Sequence, residues 1–106
     1  MFGNIIRNTN SGNACSAALG TFTSTGYNLA SDASCNAIHS NDLGTSDPLL
    51  NAGGLADNGG PTQTILLQSS SPAKDAIPAA DCSLTTDQRG TARPQNGDCD
   101  VGAVEM

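Results

Sequence analysis

Six of the chain's 14 formal charges fall in its last 21 residues, "TDQRGTARPQNGDCDVGAVEM" (86–106). They are Asp87, Arg89, Arg93, Asp98, Asp100 and Glu105. Three kinds of chemistry suit such a set. Acids and bases brought together can make a catalytic cluster. Clustered carboxylates hold Ca²⁺, which takes about six to eight oxygen ligands. "NGDCD" offers Asn96, Asp98 and Asp100 in alternation, without the rest of a calcium loop's spacing. Calcium is thus the one ion this tail suggests, and no other cofactor is expected. The third reading is structural. Arg89 carries a fork of donors suited to a carboxylate and to backbone carbonyls, with Asp75, Asp100 or Glu105 as its candidate partner. Glycine, proline and cysteine are interleaved with the charges. Gly90 and Pro94 suit turns, and Val101 and Val104 suit an apolar face. A terminal clasp of Asp87, Arg89, Arg93, Asp100 and Glu105 is therefore the expectation, and no catalytic residue is assigned there.

Other chemistry-bearing residues read as turn formers. Asp42, Asp47 and Asp57, the carboxylates of the middle segment, are the candidates for paired acid–base work on a glycan, but Asp47-Pro48 and Asp57-Asn58 are turn dipeptides. His39 is the single histidine, in "NAIHSND". No G-x-S-x-G elbow accompanies it, so a nucleophile triad is not expected. "GGLADNGG" lacks the lysine of a phosphate-binding loop.

The four cysteines are Cys15, Cys35, Cys82 and Cys99. No C-x-x-C occurs, which disfavours a zinc site. An even count in a short chain points to two disulfides and an oxidising compartment, with buried free thiols as the alternative. Of three possible connectivities, Cys15–Cys35 and Cys82–Cys99 each bracket one local excursion and are favoured. Closing each loop contributes about 3 kcal/mol in the chain-entropy view.

The elements that must position these groups are short. At 106 residues the chain makes a single domain, 1–106. It has no Trp, one Tyr and two Phe, so its core is built from small and branched side chains. Abundant Ser, Asn and Asp disfavour long helices, because these residues satisfy nearby backbone groups locally. The net charge of −6 excludes the basic footprint of a nucleic-acid binder. No stretch approaches transmembrane length, and "MFGNIIRN" is not a secretion signal. An exported chain of this kind is expected to belong to something longer.

Apolar residues come in bursts: Ile5-Ile6, Tyr27 with Leu29, Leu49-Leu50, Ile65-Leu66-Leu67, Ile77, then Val101 with Val104. Each burst is bounded by Gly, Asn, Asp or Pro, the pattern of strands and turns. Asn4 and Asn28 sit 24 residues apart in similar frames, and Leu50 follows Leu29 by 21. A period in the low twenties predicts a solenoid, with a small β-sandwich as the alternative. "PAADCSL" suits one helical turn around Ala79–Cys82.

Several segments resemble a known group. "GYNLASDASC", "SDPLLNAGGLADNGGPTQTILLQSSSPAKDAIPAADC" and "TDQRGTARPQNGDCDVGAVE" are similar to the C-terminal region of bacterial secreted β-helix proteins of the choice-of-anchor Q type. These are distantly like polymorphic outer-membrane-protein repeats. "DNGGPT", "SPA.DA", "DQRG..RP" and "CD.GA.E" occur in the expected order. The resemblance spans about residues 25–105. It implies an all-β, right-handed parallel β-helix, with coils over 1–54 and the last strands and a disulfide-stapled cap over 55–106. It also implies export to the cell surface or medium, and no established catalytic residues.

The functional expectation is a structural or interaction module of an exported bacterial surface protein, used in adhesion or surface assembly. Its expected partners are a glycan or surface ligand, or a second copy joined through an uncapped coil near Phe2–Ile6. No membrane insertion is expected. The alternative is a small carbohydrate-active enzyme, a polysaccharide lyase or glycoside hydrolase.

Overall fold

The computed structural model describes residues 1–8, 11–16, 21–36 and 39–106. The chain departs from the stacked coils that the spacing and the resemblance implied. The described residues form one parallel pair of two-residue strands, β1 (Ile5–Ile6) and β2 (Leu29–Ala30), in register Ile5↔Leu29 and Ile6↔Ala30. Single parallel bridges extend it at Phe2↔Gly26 and Ala30↔Thr45. Beyond Thr45 every described bridge is antiparallel: Leu50↔Leu67, Ala56↔Thr64, Ile77↔Cys99 and Thr86↔Ala92. A parallel β-helix of several coils is therefore not the fold, and most of the described chain is turn and irregular loop. Segments 9–10, 17–20 and 37–38 of the expected coil region lie outside the described residues.

The reason lies in the length of the bursts. Two apolar residues flanked by turn formers cannot sustain a rung. Left-handed backbone breaks the first half of the chain before or within its bursts, at Gly3, Gly26 and Tyr27, Gly44, and Leu49. In the second half the turns fold the chain back on itself. "DNGGPT" (57–62) closes the Ala56–Thr64 hairpin, with Gly59 and Gly60 at φ +95° and +78°. Gly60 is also required by packing. A Cβ there would lie 2.7 Å from the Arg89 Cα.

The 24-residue spacing does have a structural basis at one place. Asn4 donates from its backbone N–H and its side-chain amide to Asn28 Oδ1, at 3.1 and 3.0 Å. Asn28 is fully buried. Its amide nitrogen donates in turn to the Gly26 carbonyl, Ser24 Oγ and Asp42 Oδ1. One buried side chain thus satisfies the backbone where β1 enters its pairing.

The core runs between the two halves. Tyr27, Leu29, Leu67, Ala73, Ile77, Cys99 and Val101 are buried together, with Ile5, Leu50 and Met106 packed against them. Cys15 is bonded to Cys35 and Cys82 to Cys99. The second disulfide enters the core through Cys99. Short 3₁₀ turns at Ala33–Cys35 and Ala79–Asp81 present one cysteine of each pair.

Candidate functional site

The charged tail is wired inward. Asp87 is buried, and its Oδ1 accepts the N–H groups of Arg89 (2.7 Å) and Thr91 (3.0 Å). Its Oδ2 accepts Arg89 Nε and the Glu105 N–H, both at 2.9 Å. Burial pushes the Asp87 carboxyl up. The Glu105 N–H, the Arg89 guanidinium and the two remaining backbone donors outweigh it, and the carboxyl is held below its ordinary value. Arg89 thus takes Asp87 as its carboxylate, 2.8 Å from Nη2, and neither Asp75 nor Asp100. Glu105 gives Arg89 only its backbone carbonyl.

Arg93 serves the other side of the tail. It donates to the carbonyls of Asp100 (2.8 Å) and Gly102 (2.7 Å) and pairs with Glu105 Oε2 at 3.2 Å. The Glu105 carboxylate also accepts the N–H groups of Gln95 and Asp100. Asp100, fully buried, accepts the N–H of Asp75 and of Met106, each at 2.7 Å. Burial pushes its carboxyl up. The two N–H donors pull the other way, and the nearby charges of Glu105 and Asp75 add to the rise. Asp98 accepts the Ala79 N–H at 3.0 Å, and Asn96 donates to the Met106 carbonyl at 2.9 Å. The alternating Asn96, Asp98 and Asp100 are therefore directed at three different partners. Among the described residues no group of three or more His, Cys, Asp or Glu is arranged to hold a metal ion.

The middle-segment carboxylates close turns. Asp42 accepts the N–H of Asn28 (2.9 Å) and of His39 (2.8 Å). Burial raises its carboxyl, but hydrogen bonds from Ser24, Asn28 and His39 outweigh that and hold it low. Asp47 accepts the Leu49 N–H and Asp57 the Gly59 N–H. His39 accepts the Asn41 N–H at Nδ1, 3.2 Å away.

What the tail positions is an apolar groove of about 630 Å³. Phe2 to Ile5 and Val101 to Val104 line it side by side. Leu50, Leu55, Leu67 and Leu84 are among its other lining residues. The two segments are tied by a hydrogen bond from the Gly102 N–H to the Gly3 carbonyl, 3.0 Å. Gly102 is constrained by the neighbouring segment. A Cβ there would meet the Ile5 Cδ1 at 2.9 Å. The large apolar residues left exposed among those described are Phe2 (41%), Leu55 (63%) and Leu84 (65%), and all three line this groove. Its polar lining residues are Asn4, Gln63, Thr64 and Gln88, so no charged side chain faces it among the described residues.

Another depression, of about 400 Å³, shares Phe2 and is otherwise lined by side chains that carry polar groups. Thr25, Tyr27, Asn41, Asp81 and Ser83 complete it. The Phe2 and Tyr27 rings meet edge to face, with centroids 5.6 Å apart. The Tyr27 hydroxyl donates to Asp81 Oδ2 and accepts from Asn41 Nδ2 at 3.4 Å. That hydrogen bond to Asp81, followed by burial, raises the Tyr27 phenol above its ordinary value.

Sequence reasoning pointed to Phe2–Ile6 but missed Leu55, Leu84 and the Tyr27–Asp81 contact. Leu55 and Leu84 carried a usable signal. Each is a lone leucine inside a turn segment, "GGLAD" and "CSLTT", whose apolar neighbours at strand or helix spacing are only alanine or cysteine (Ala52 for Leu55; Ala80 and Cys82 for Leu84). Tyr27 and Asp81 are 54 residues apart, and nothing local links them. No protein-family model, curated protein or solved structure matches this chain. Among the described residues no helix is long and apolar enough to cross a membrane.

Proposed function

We propose that the chain is a recognition module of an exported bacterial protein, serving adhesion or surface assembly, whose groove takes an extended apolar segment of another polypeptide. The observation that carries this is the convergence of Phe2, Leu55 and Leu84 on one uncharged groove. Scattered surface leucines need no explanation, but a contiguous apolar patch rimmed by polar residues marks a contact surface. The lining chemistry selects the occupant. An uncharged concave wall takes an apolar ridge, and a net charge of −6 around it favours neutral or basic flanks. A second copy brings its own −6 and is the less favoured occupant. Export is supported by the two disulfides, which persist in oxidising compartments. It is supported also by the likeness of the tail motifs to choice-of-anchor Q proteins.

The test uses a synthetic peptide of alternating Leu and Ser with Lys at both ends, titrated into the disulfide-bonded chain. Resonances of Leu55, Leu84 and Val104 are expected to shift. Leu55→Ser with Leu84→Ser is expected to weaken binding about 100-fold, because burying each leucine contributes about 1.5 kcal/mol. A Glu-flanked version is expected to bind less well. Unchanged affinity in the double variant sinks the proposal. So does sedimentation showing that the groove is already filled by a second copy.

A further inference from the structure

The depression beside the groove has a different chemistry, and we infer that it is a binding site for a neutral sugar ring. Pyranoses carry an apolar face and a girdle of hydroxyls. They are recognised where an aromatic surface adjoins a few planar polar groups with both donor and acceptor capacity. The cleft supplies that combination. Phe2 is 41% exposed and offers the apolar surface. Asp81 is exposed; one of its oxygens takes the Tyr27 hydroxyl, and the other can accept sugar hydroxyls. Asn41 brings a side-chain carbonyl and amide, and Thr25 and Ser83 bring hydroxyls. The volume, about 400 Å³, lies within the range of small-molecule sites.

Two further features support a site rather than a surface irregularity. Two of the chain's three aromatic residues are placed here, from positions 25 apart. Tyr27 also adopts a left-handed backbone, φ +56°, directly after Gly26 at +121°. A bulky residue in that region is strained. The strain is held by a fully buried Asn28 and by the Tyr27 N–H, which donates to the Asn41 carbonyl at 3.1 Å. Asn41 thus meets Tyr27 twice, at its backbone N–H and, through the Asn41 side-chain amide, at its hydroxyl, 3.4 Å away.

Charge defines which sugars fit. Asp81 is the only charged side chain lining the cleft among the described residues, and the whole chain is acidic. Uronic acids and other anionic sugars are therefore disfavoured. A single carboxylate without further anionic oxygens also makes a cation site a poor alternative.

The experiment is an NMR titration of the disulfide-bonded chain with D-glucose, D-galactose and D-mannose, and with D-glucuronate as the charged control. At least one neutral hexose is expected to shift the amides of Thr25, Tyr27, Asn41 and Ser83, with a Kd of about 1–10 mM, as befits one weakly held ring. Asn41→Ala alters an exposed side chain and is expected to weaken binding about tenfold. Tyr27→Phe keeps the ring and tests the hydroxyl, with a similar loss expected. Leu55→Ser with Leu84→Ser is expected to leave sugar binding unchanged, so failure of the groove and failure of the cleft are read separately. The inference is overturned if no hexose shifts these amides, if glucuronate binds as well as the hexoses, or if Asn41→Ala has no effect.

Discussion

Asp87→Asn isolates the centre of the clasp. Asp87 is 7% exposed and its two oxygens take four N–H donors, two each. Asparagine keeps one oxygen and puts an NH₂ in place of the other. Whichever way the amide turns, two donors then face a donor, and Arg89 loses its counter-charge while 85% of its side chain stays covered. Removing one partner of a buried ion pair costs about 3–5 kcal/mol. Arg89 keeps some contact with water, so the lower figure, about 3 kcal/mol, applies. Against a total stability of about 5–15 kcal/mol this is a large fraction. It corresponds to a fall in Tm of roughly 12–24 °C at about 4–8 °C per kcal/mol. Urea unfolding followed by the fluorescence of the single tyrosine, with calorimetry alongside, measures it. The pH dependence supplies an internal check. The folded Asp87 carboxyl lies below its ordinary value of 3.8. Its contribution is therefore complete above about pH 4 and is lost as pH falls through the folded value. Wild type and Asp87→Asn should converge in strong acid. A loss under 1 kcal/mol at pH 7, or a difference that persists unchanged in strong acid, refutes the reasoning.

Asp100 and Gly60 give two further tests. The Asp100 carboxyl is raised by burial, so the folded state takes up a proton before the unfolded chain does, and ionisation costs stability as pH rises through the folded value. Asp100→Asn lacks this dependence and leaves one N–H donor unmet, a cost of about 1–3 kcal/mol. The wild-type advantage over it should grow as pH falls from neutral through the folded value toward the ordinary 3.8 in parallel urea titrations; a constant difference counts against the burial argument. Gly60→Ala is expected to cost more than about 2 kcal/mol, combining backbone strain with a Cβ 2.7 Å from the Arg89 Cα. Gly59→Ala, at φ +95° with open space around it, is expected to cost only about 1 kcal/mol, and equal losses at both positions would show that close packing on Arg89 is not the cause.

Local features were readable from the sequence to the extent that local chemistry determines them. Turn dipeptides, the one helical turn near Ala79 and the side chains with donors to spare are set by neighbours in the chain. The fold class was not readable in this way. The 24-residue spacing of Asn4 and Asn28 reflects a real parallel contact, Ile5↔Leu29. The next step of the supposed period fails, because Leu50 meets Leu67 from the opposite direction. A burst of two or three apolar residues pairs equally well with either polarity, and the turn at 57–62, not the burst, decides which. The exact partner of Arg89 was out of reach for a related reason. Asp87, two residues away, is brought to it by the tight turn that Gly90 closes with its N–H on the Asp87 carbonyl.

The tail and the groove are parts of one device. The segment Val101 to Val104 carries no charge, and yet charged groups fix its two ends. Arg93 donates to the carbonyls of Asp100 and Gly102, and Asp87 accepts the N–H of Glu105, while neutral backbone bonds hold the rest: Val101 N–H to the Ala73 carbonyl, Gly102 N–H to the Gly3 carbonyl and Gln88 N–H to the Ala103 carbonyl. The carboxylates and guanidinium groups point away from the groove into the protein, while the backbone they fix offers it only valine, alanine and glycine. This explains how a strongly acidic chain presents an uncharged surface next to its most charged segment. It also separates two kinds of substitution. Changes at Leu55 or Leu84 should alter binding with the fold intact. Changes at Asp87 or Arg93 should loosen the wall first and reduce binding only as a consequence, in proportion to lost stability.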